Sequence, residues 1–111
     1  MARTPVTVNI SGYLFSCVPL AEASFAEVAA VYVILCVSEG GSWRLLDVGQ
    51  TGELGERFDS HERKQCWEAN CPNHNLWACV HLMPSSQYAK EDRLKLEHSL
   101  RQQYGPPCGK I

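Results

Sequence analysis

The chain has 111 residues, of which 45% are hydrophobic and 20% charged, and a formal net charge of −2. That length supports one core and excludes two independent ones, and the composition is globular, neither disordered nor fibrous. The slight negative charge excludes a global basic field, so any surface for DNA phosphates has to be local.

Residues 7 to 11 (TVNIS) alternate apolar with polar and predict a first short strand, which residues 13 to 18 prolong or follow after Gly12. Pro19 ends it. Residues 20 to 29 (LAEASFAEVA) read as helical or irregular, with Ser24 able to cap a turn and Phe25 and Val28 packing inward. The run VYVILCV at 31 to 37 is too rich in β-branched residues for a helix and predicts a buried strand. Residues 38 to 42 (SEGGS) supply turn chemistry, and residues 43 to 48 (WRLLDV) pair back as a hairpin.

Gly49-Gln50-Thr51-Gly52 breaks that second strand, and the hydrophobic period then changes from two to 3.6. Leu54, Arg57, Phe58 and His61 fall at i, i+3, i+4 and i+7, so a guanidinium and an imidazole share the inward stripe of a short helix. Residues 66 to 75 (CWEANCPNHN) have loop composition with one helical turn before them. Residues 76 to 83 (LWACVHLM) predict a further core strand closed by Pro84, with Ser85 and Ser86 offering a cap. A last helix is expected from 89 to 104, stopped by Gly105-Pro106-Pro107, with Arg93, Leu96, Leu100 and Tyr104 on its apolar half and Glu97 at the margin.

No apolar run approaches membrane-spanning length, and the first residues lack the features of a secretion signal. The expectation is a cytoplasmic protein without membrane association. The 6 cysteines are then expected to be reduced, with Cys36 and Cys79 acting as small hydrophobes inside strands. Cys66, Cys71 and His74 are spaced C-x4-C-x2-H, with Cys79 and His81 following, and lack the paired knuckles of a zinc site. Trp67 and Trp77 are expected to pack in the core or under a loop.

Tyr32, Arg57, His61 and Glu97 are able to converge on one edge of a small three-stranded sheet, and the grouping makes chemical sense. A guanidinium can hold a phosphate by paired hydrogen bonds, a carboxylate can hold a divalent cation, and a phenol or imidazole can orient or deprotonate water. Each also has a structural alternative: Tyr32 as a strand aromatic, Arg57 paired with Glu53 or Glu97, His61 at a helix end, and Glu97 paired with Arg93 or Arg101 one turn away.

Ala30-Val31-Tyr32, then Asp47-Val48-Gly49 with Gln50-Thr51, then Arg57 with His61, and finally Arg93-Leu94-Lys95-Leu96-Glu97 with Tyr104-Gly105-Pro106-Pro107-Cys108 resemble, in order and spacing, the motifs of the GIY-YIG nuclease family. The resemblance spans residues 25 to 109. It implies an α/β (α+β) domain, residues 25–111, whose central three-stranded antiparallel sheet is flanked by helices. Residues 1–24 would be an extension packed on it, able to add a strand or to mediate a homodimer through a sheet edge.

The implied activity is hydrolysis of DNA phosphodiesters by an endonuclease using Mg²⁺ or Mn²⁺. By position, Glu97 resembles the metal ligand, Arg57 the phosphate-binding residue, Tyr32 the tyrosine near the attacking water and His61 the residue assisting it. Three positions depart from the pattern: Ala30 for glycine, Asp47 for the second-motif tyrosine and Gly109 for the tail asparagine. Asp47 has two readings: a second acidic metal ligand or general base that preserves hydrolysis, or a partner of Arg57 in a scaffold without turnover. In the latter case the chain is a binding module for nucleic acid or a protein partner.

Overall fold

The computed structural model describes residues 5–52 and 63–109. It is a small α+β domain built on one antiparallel sheet of five strands, β1 (Val6–Ile10), β2 (Tyr13–Pro19), β3 (Ala30–Val37), β4 (Trp43–Thr51) and β5 (Leu76–Leu82), in the order β1-β2-β5-β3-β4. Two α-helices lie among the described residues, α1 (Lys64–Ala69) and α2 (Lys90–Tyr104). Of the stripe expected after Gly52, Leu54, Arg57, Phe58 and His61 lie outside the described residues.

The three strands expected from the sequence, β5-β3-β4, form one side of the sheet. The N-terminal segment adds two strands to it, so residues 6 to 19 continue the sheet. Their hairpin turns at Ser11 and Gly12, with φ of 56° and 89°, the pair of positive values that a two-residue turn between twisted strands requires. Residues 20 to 22 form one 3-10 turn, after which the chain is irregular up to Ala30.

β3 is covered on both faces, and this is why its sequence is continuously apolar instead of alternating. Val31, Val33 and Leu35 point to one face, where Leu96 and Leu100 of α2 meet them; Tyr32 and Ile34 point to the other, under Phe25 and under Trp67 of α1. α2 starts where Asp92 accepts a hydrogen bond from the backbone N–H of Ala89 at 2.9 Å, so that Ala89 and not Ser85 or Ser86 stands at the cap. It stops at Gly105, in the left-handed conformation at φ 54°.

Between β3 and β4 the register shifts by one residue: Ile34 opposes Asp47, but Leu35 opposes Leu45. Leu46 is therefore an extra residue, a β-bulge. Simple alternation would leave Asp47 on the same side as Leu45, in the apolar core beneath α2. The bulge turns it to the other face, where Tyr32 and Trp67 lie.

All six cysteines are paired, which corrects the expectation of reduced thiols: Cys17 with Cys79, Cys36 with Cys71, and Cys66 with Cys108. Cys17 and Cys79 are direct cross-strand partners, placed opposite one another by the β2–β5 register. The other two bonds tie α1 and the loop after it to the C-terminal tail and to β3. None of these sulfurs remains as a thiolate for zinc. No helix among the described residues is long and apolar enough to cross a membrane.

Candidate active site at the edge of the sheet

Asp47 lies inside an apolar strand and is fully buried. A buried carboxylate needs partners, and this one has three. Its Oδ2 accepts a hydrogen bond from the indole Nε1 of Trp67 at 2.7 Å and forms an ion pair with Nε of Arg63 at 3.1 Å. Its Oδ1 accepts from Nη2 of Arg101 at 3.0 Å. Two guanidinium groups against one carboxylate leave this cluster with a formal charge of +1 on a molecule whose total is −2.

Arg63 connects the cluster to Tyr32, since its Nη2 donates to the phenol oxygen at 2.8 Å. Tyr32 is fully buried and lies over Gly49 on the neighbouring strand; a Cβ on Gly49 would collide with the phenol hydroxyl and ring. This is the reason for a glycine at that point of β4: the tyrosine occupies the volume of the missing side chain.

The tail closes the cluster. The Cys108 N–H donates to the carbonyl of Leu46 at 3.0 Å, capping the bulge, and the Cys108 carbonyl accepts from Nη1 of Arg101 at 3.2 Å. Gly109, at φ 74°, then packs where any Cβ would meet Arg63, Asp47 and Arg101. The residue that departs from the tail pattern thus sits against the residue that departs from the second motif.

Glu97 is on α2, on the opposite face of the sheet, in one row with Arg93 and Arg101 at i−4 and i+4. Both arginines turn away from it toward β4. Nε of Arg93 donates to Oε1 of Gln50 at 3.2 Å, while Arg101 reaches round the strand to Asp47 and to the carbonyl of Val48. Among the described residues β4 is an edge strand, and Arg101 passes at that edge from α2 to the face of Asp47.

Glu97 is partly buried and, among the described residues, makes no ion pair or hydrogen bond. Arg93 is nine-tenths buried, with Nη1 unpartnered. No group of three or more His, Cys, Asp and Glu side chains among the described residues is arranged to hold a metal ion. Arg57 and His61, the remaining two residues singled out from the sequence, lie outside the described residues.

The structure thus gathers Tyr32 and Asp47 into one cluster through Arg63 and places Glu97 on α2, on the opposite face of the sheet. Sequence reasoning missed Arg63 and the role of Trp67, and took Arg101 only as a neighbour of Glu97. The usable signal was Asp47 itself, since an acid in an apolar strand demands cations, although which arginines answer it depends on the bulge and the tail. Comparison of the chain with protein families, characterised proteins and solved structures gave no match.

Proposed function

We propose that the protein is a divalent-metal-dependent endonuclease of the GIY-YIG type, hydrolysing DNA phosphodiester bonds at the β4 edge. The observation that carries this reading is the partly buried carboxylate of Glu97, unpaired among the described residues and set in one helical row with two arginines that both bond elsewhere. A carboxylate so placed could have formed either of two intrahelical pairs, and it forms neither. The order and spacing of the motifs add the second support, and the locally positive cluster the third.

A single acid is a suitable anchor for Mg²⁺ or Mn²⁺, since such ions often bind one or two carboxylates and take the rest of their shell from water and substrate phosphate. Glu97 would hold the ion, which when bound supplies charge neutralisation for the phosphoryl oxygens and the leaving group. Arg57 binds the scissile phosphate. Tyr32, whose oxygen accepts the Arg63 N–H, stands at the position that the resemblance sets near the attacking water, and His61 takes the water's proton. The water oxygen bonds to phosphorus as one P–O ester bond breaks, and the departing alkoxide is protonated from solvent.

In this reading Asp47 is a counter-ion. With its charge met by Arg63 and Arg101, it neither repels the phosphate nor requires Arg57. The pairing of all six cysteines favours an oxidising compartment over the cytoplasm expected from the sequence.

Plasmid nicking in Mg²⁺ or Mn²⁺ tests the proposal. Wild-type protein should convert supercoiled to open-circular DNA and Glu97→Ala should not; equal activity of the two, or none in the wild type, removes the enzyme reading. The overall acidity favours one alternative, a binding module that has kept the architecture without turnover and engages nucleic acid or a protein partner. DNA affinity that does not fall with added salt would exclude phosphate contacts and favour a protein partner.

A further inference from the structure

We infer that Arg63 is the positioning residue for Tyr32, held in place by Asp47, and that the acid standing at the second-motif tyrosine position is there to fix this guanidinium. The inference rests on the nuclease reading for its catalytic consequence, but its geometry stands independently. One planar guanidinium spans two buried groups: Nε pairs with Asp47 at 3.1 Å and Nη2 donates to Tyr32 at 2.8 Å. Trp67 and Arg101 hold the carboxylate from its remaining sides, and Gly109 leaves the room that the arginine head needs.

The chemistry follows from what each group can do. A guanidinium only donates, so the Tyr32 oxygen must accept, and a phenol O–H lies in the plane of its ring. With one in-plane direction taken by Arg63, the hydroxyl proton is directed the other way, which gives the phenol one orientation instead of two. Arg63 also brings a fixed positive charge next to the region where negative charge develops during phosphoryl transfer. Lysine is a poor substitute: a single ammonium can keep the ion pair with Asp47 or reach Tyr32, but lacks the planar fork that spans both.

The test uses the full chain in two arms. In the first, ¹³C is placed at Cζ of tyrosine and the Tyr32 resonance is assigned with Tyr32→Phe. Arg63→Lys and Arg63→Ala should both move that resonance, while Arg44→Ala, at an exposed arginine of β4, should leave it in place. In the second arm, both Arg63 variants should lower kcat for plasmid cleavage by about 10- to 100-fold with KM nearly unchanged. Added guanidinium ion should restore part of the rate of the Ala variant.

Arg63→Lys retains a cation for Asp47 and so keeps the test open if Arg63→Ala fails to fold. An unmoved Tyr32 resonance in the Lys variant, or cleavage by it at the wild-type rate, overturns the assignment. So does a raised KM with kcat intact, which would make Arg63 a phosphate contact. Absence of cleavage by the wild type would defeat the nuclease reading alone, and the resonance would still decide whether Arg63 positions Tyr32.

Discussion

The two faces of the sheet are held by different physics. Beneath α2 the contacts are apolar: Val31, Val33 and Leu35 of β3 and Val48 of β4 pack against Leu96 and Leu100, and the hydrophobic effect accounts for the association. Beneath α1 a six-residue helix contributes one buried tryptophan, too little to dock by area alone. On that face the apolar contacts of Trp67 with Ile34, Leu46 and Leu76 are joined by the Asp47 cluster and by two disulfides, Cys66–Cys108 from within the helix and Cys36–Cys71 from the loop after it. There directional and covalent links add to the apolar packing, and the Asp47 ion pair sets Arg63 against Tyr32. From the better-packed face, α2 supplies Arg101 to the Asp47 cluster.

Substitutions on each side would sharpen this contrast. The largest effect is expected for Asp47→Ala, which leaves two guanidinium groups and an indole N–H without their acceptor; breaking such a buried pair costs about 3–5 kcal/mol, measurable by urea or thermal unfolding. Leu100→Ala on the other face should cost about 2–5 kcal/mol by leaving a cavity, without moving the Tyr32 resonance. A value for Asp47→Ala well below that for Leu100→Ala would undo the claim that polar links secure the α1 face.

Replacing Cys36 and Cys71 together by alanine should cost about 2–4 kcal/mol, with hydrogen exchange accelerating in α1 before it does in β3. Thiol titration of the denatured, unreduced protein should find no free thiol, since every cysteine is paired. Gly109→Ala should give the smallest loss, about 1–3 kcal/mol, because the left-handed backbone and the contact with Arg63 and Arg101 both oppose a Cβ. Equal protection of α1 and β3 after loss of the Cys36–Cys71 bond would show that this disulfide is not what holds the helix.

The face under α2 was legible in the sequence because its signals are local. The valine-rich run of β3, the 3.6 period of Leu96 and Leu100 and the Gly105-Pro106-Pro107 stop each declare an element within a few residues. The other face was not. One extra residue, Leu46, decides to which side Asp47 points, and a bulge leaves no mark in apolar periodicity. The partners of Asp47 are 16, 20 and 54 residues away along the chain, and Arg101 was as readily read as a partner of Glu97.

The cysteines were misjudged because pairing depends on proximity in the fold: Cys17 and Cys79 are 62 residues apart in the chain yet direct neighbours across β2 and β5. The two N-terminal strands were likewise only half visible, since residues 7 to 11 alternate apolar with polar but carry no sign of which edge receives them.

The proposed activity depends most on Glu97 being the carboxylate that holds a divalent cation. A crystal structure of the protein soaked in Mn²⁺, with anomalous data, measures this directly. The expected result is one strong peak at coordination distance from a Glu97 carboxylate oxygen, about 2.1 Å, that is lost in Glu97→Gln. Anomalous density elsewhere with none at Glu97, or a Glu97 side chain paired with Arg93 or Arg101, would contradict it.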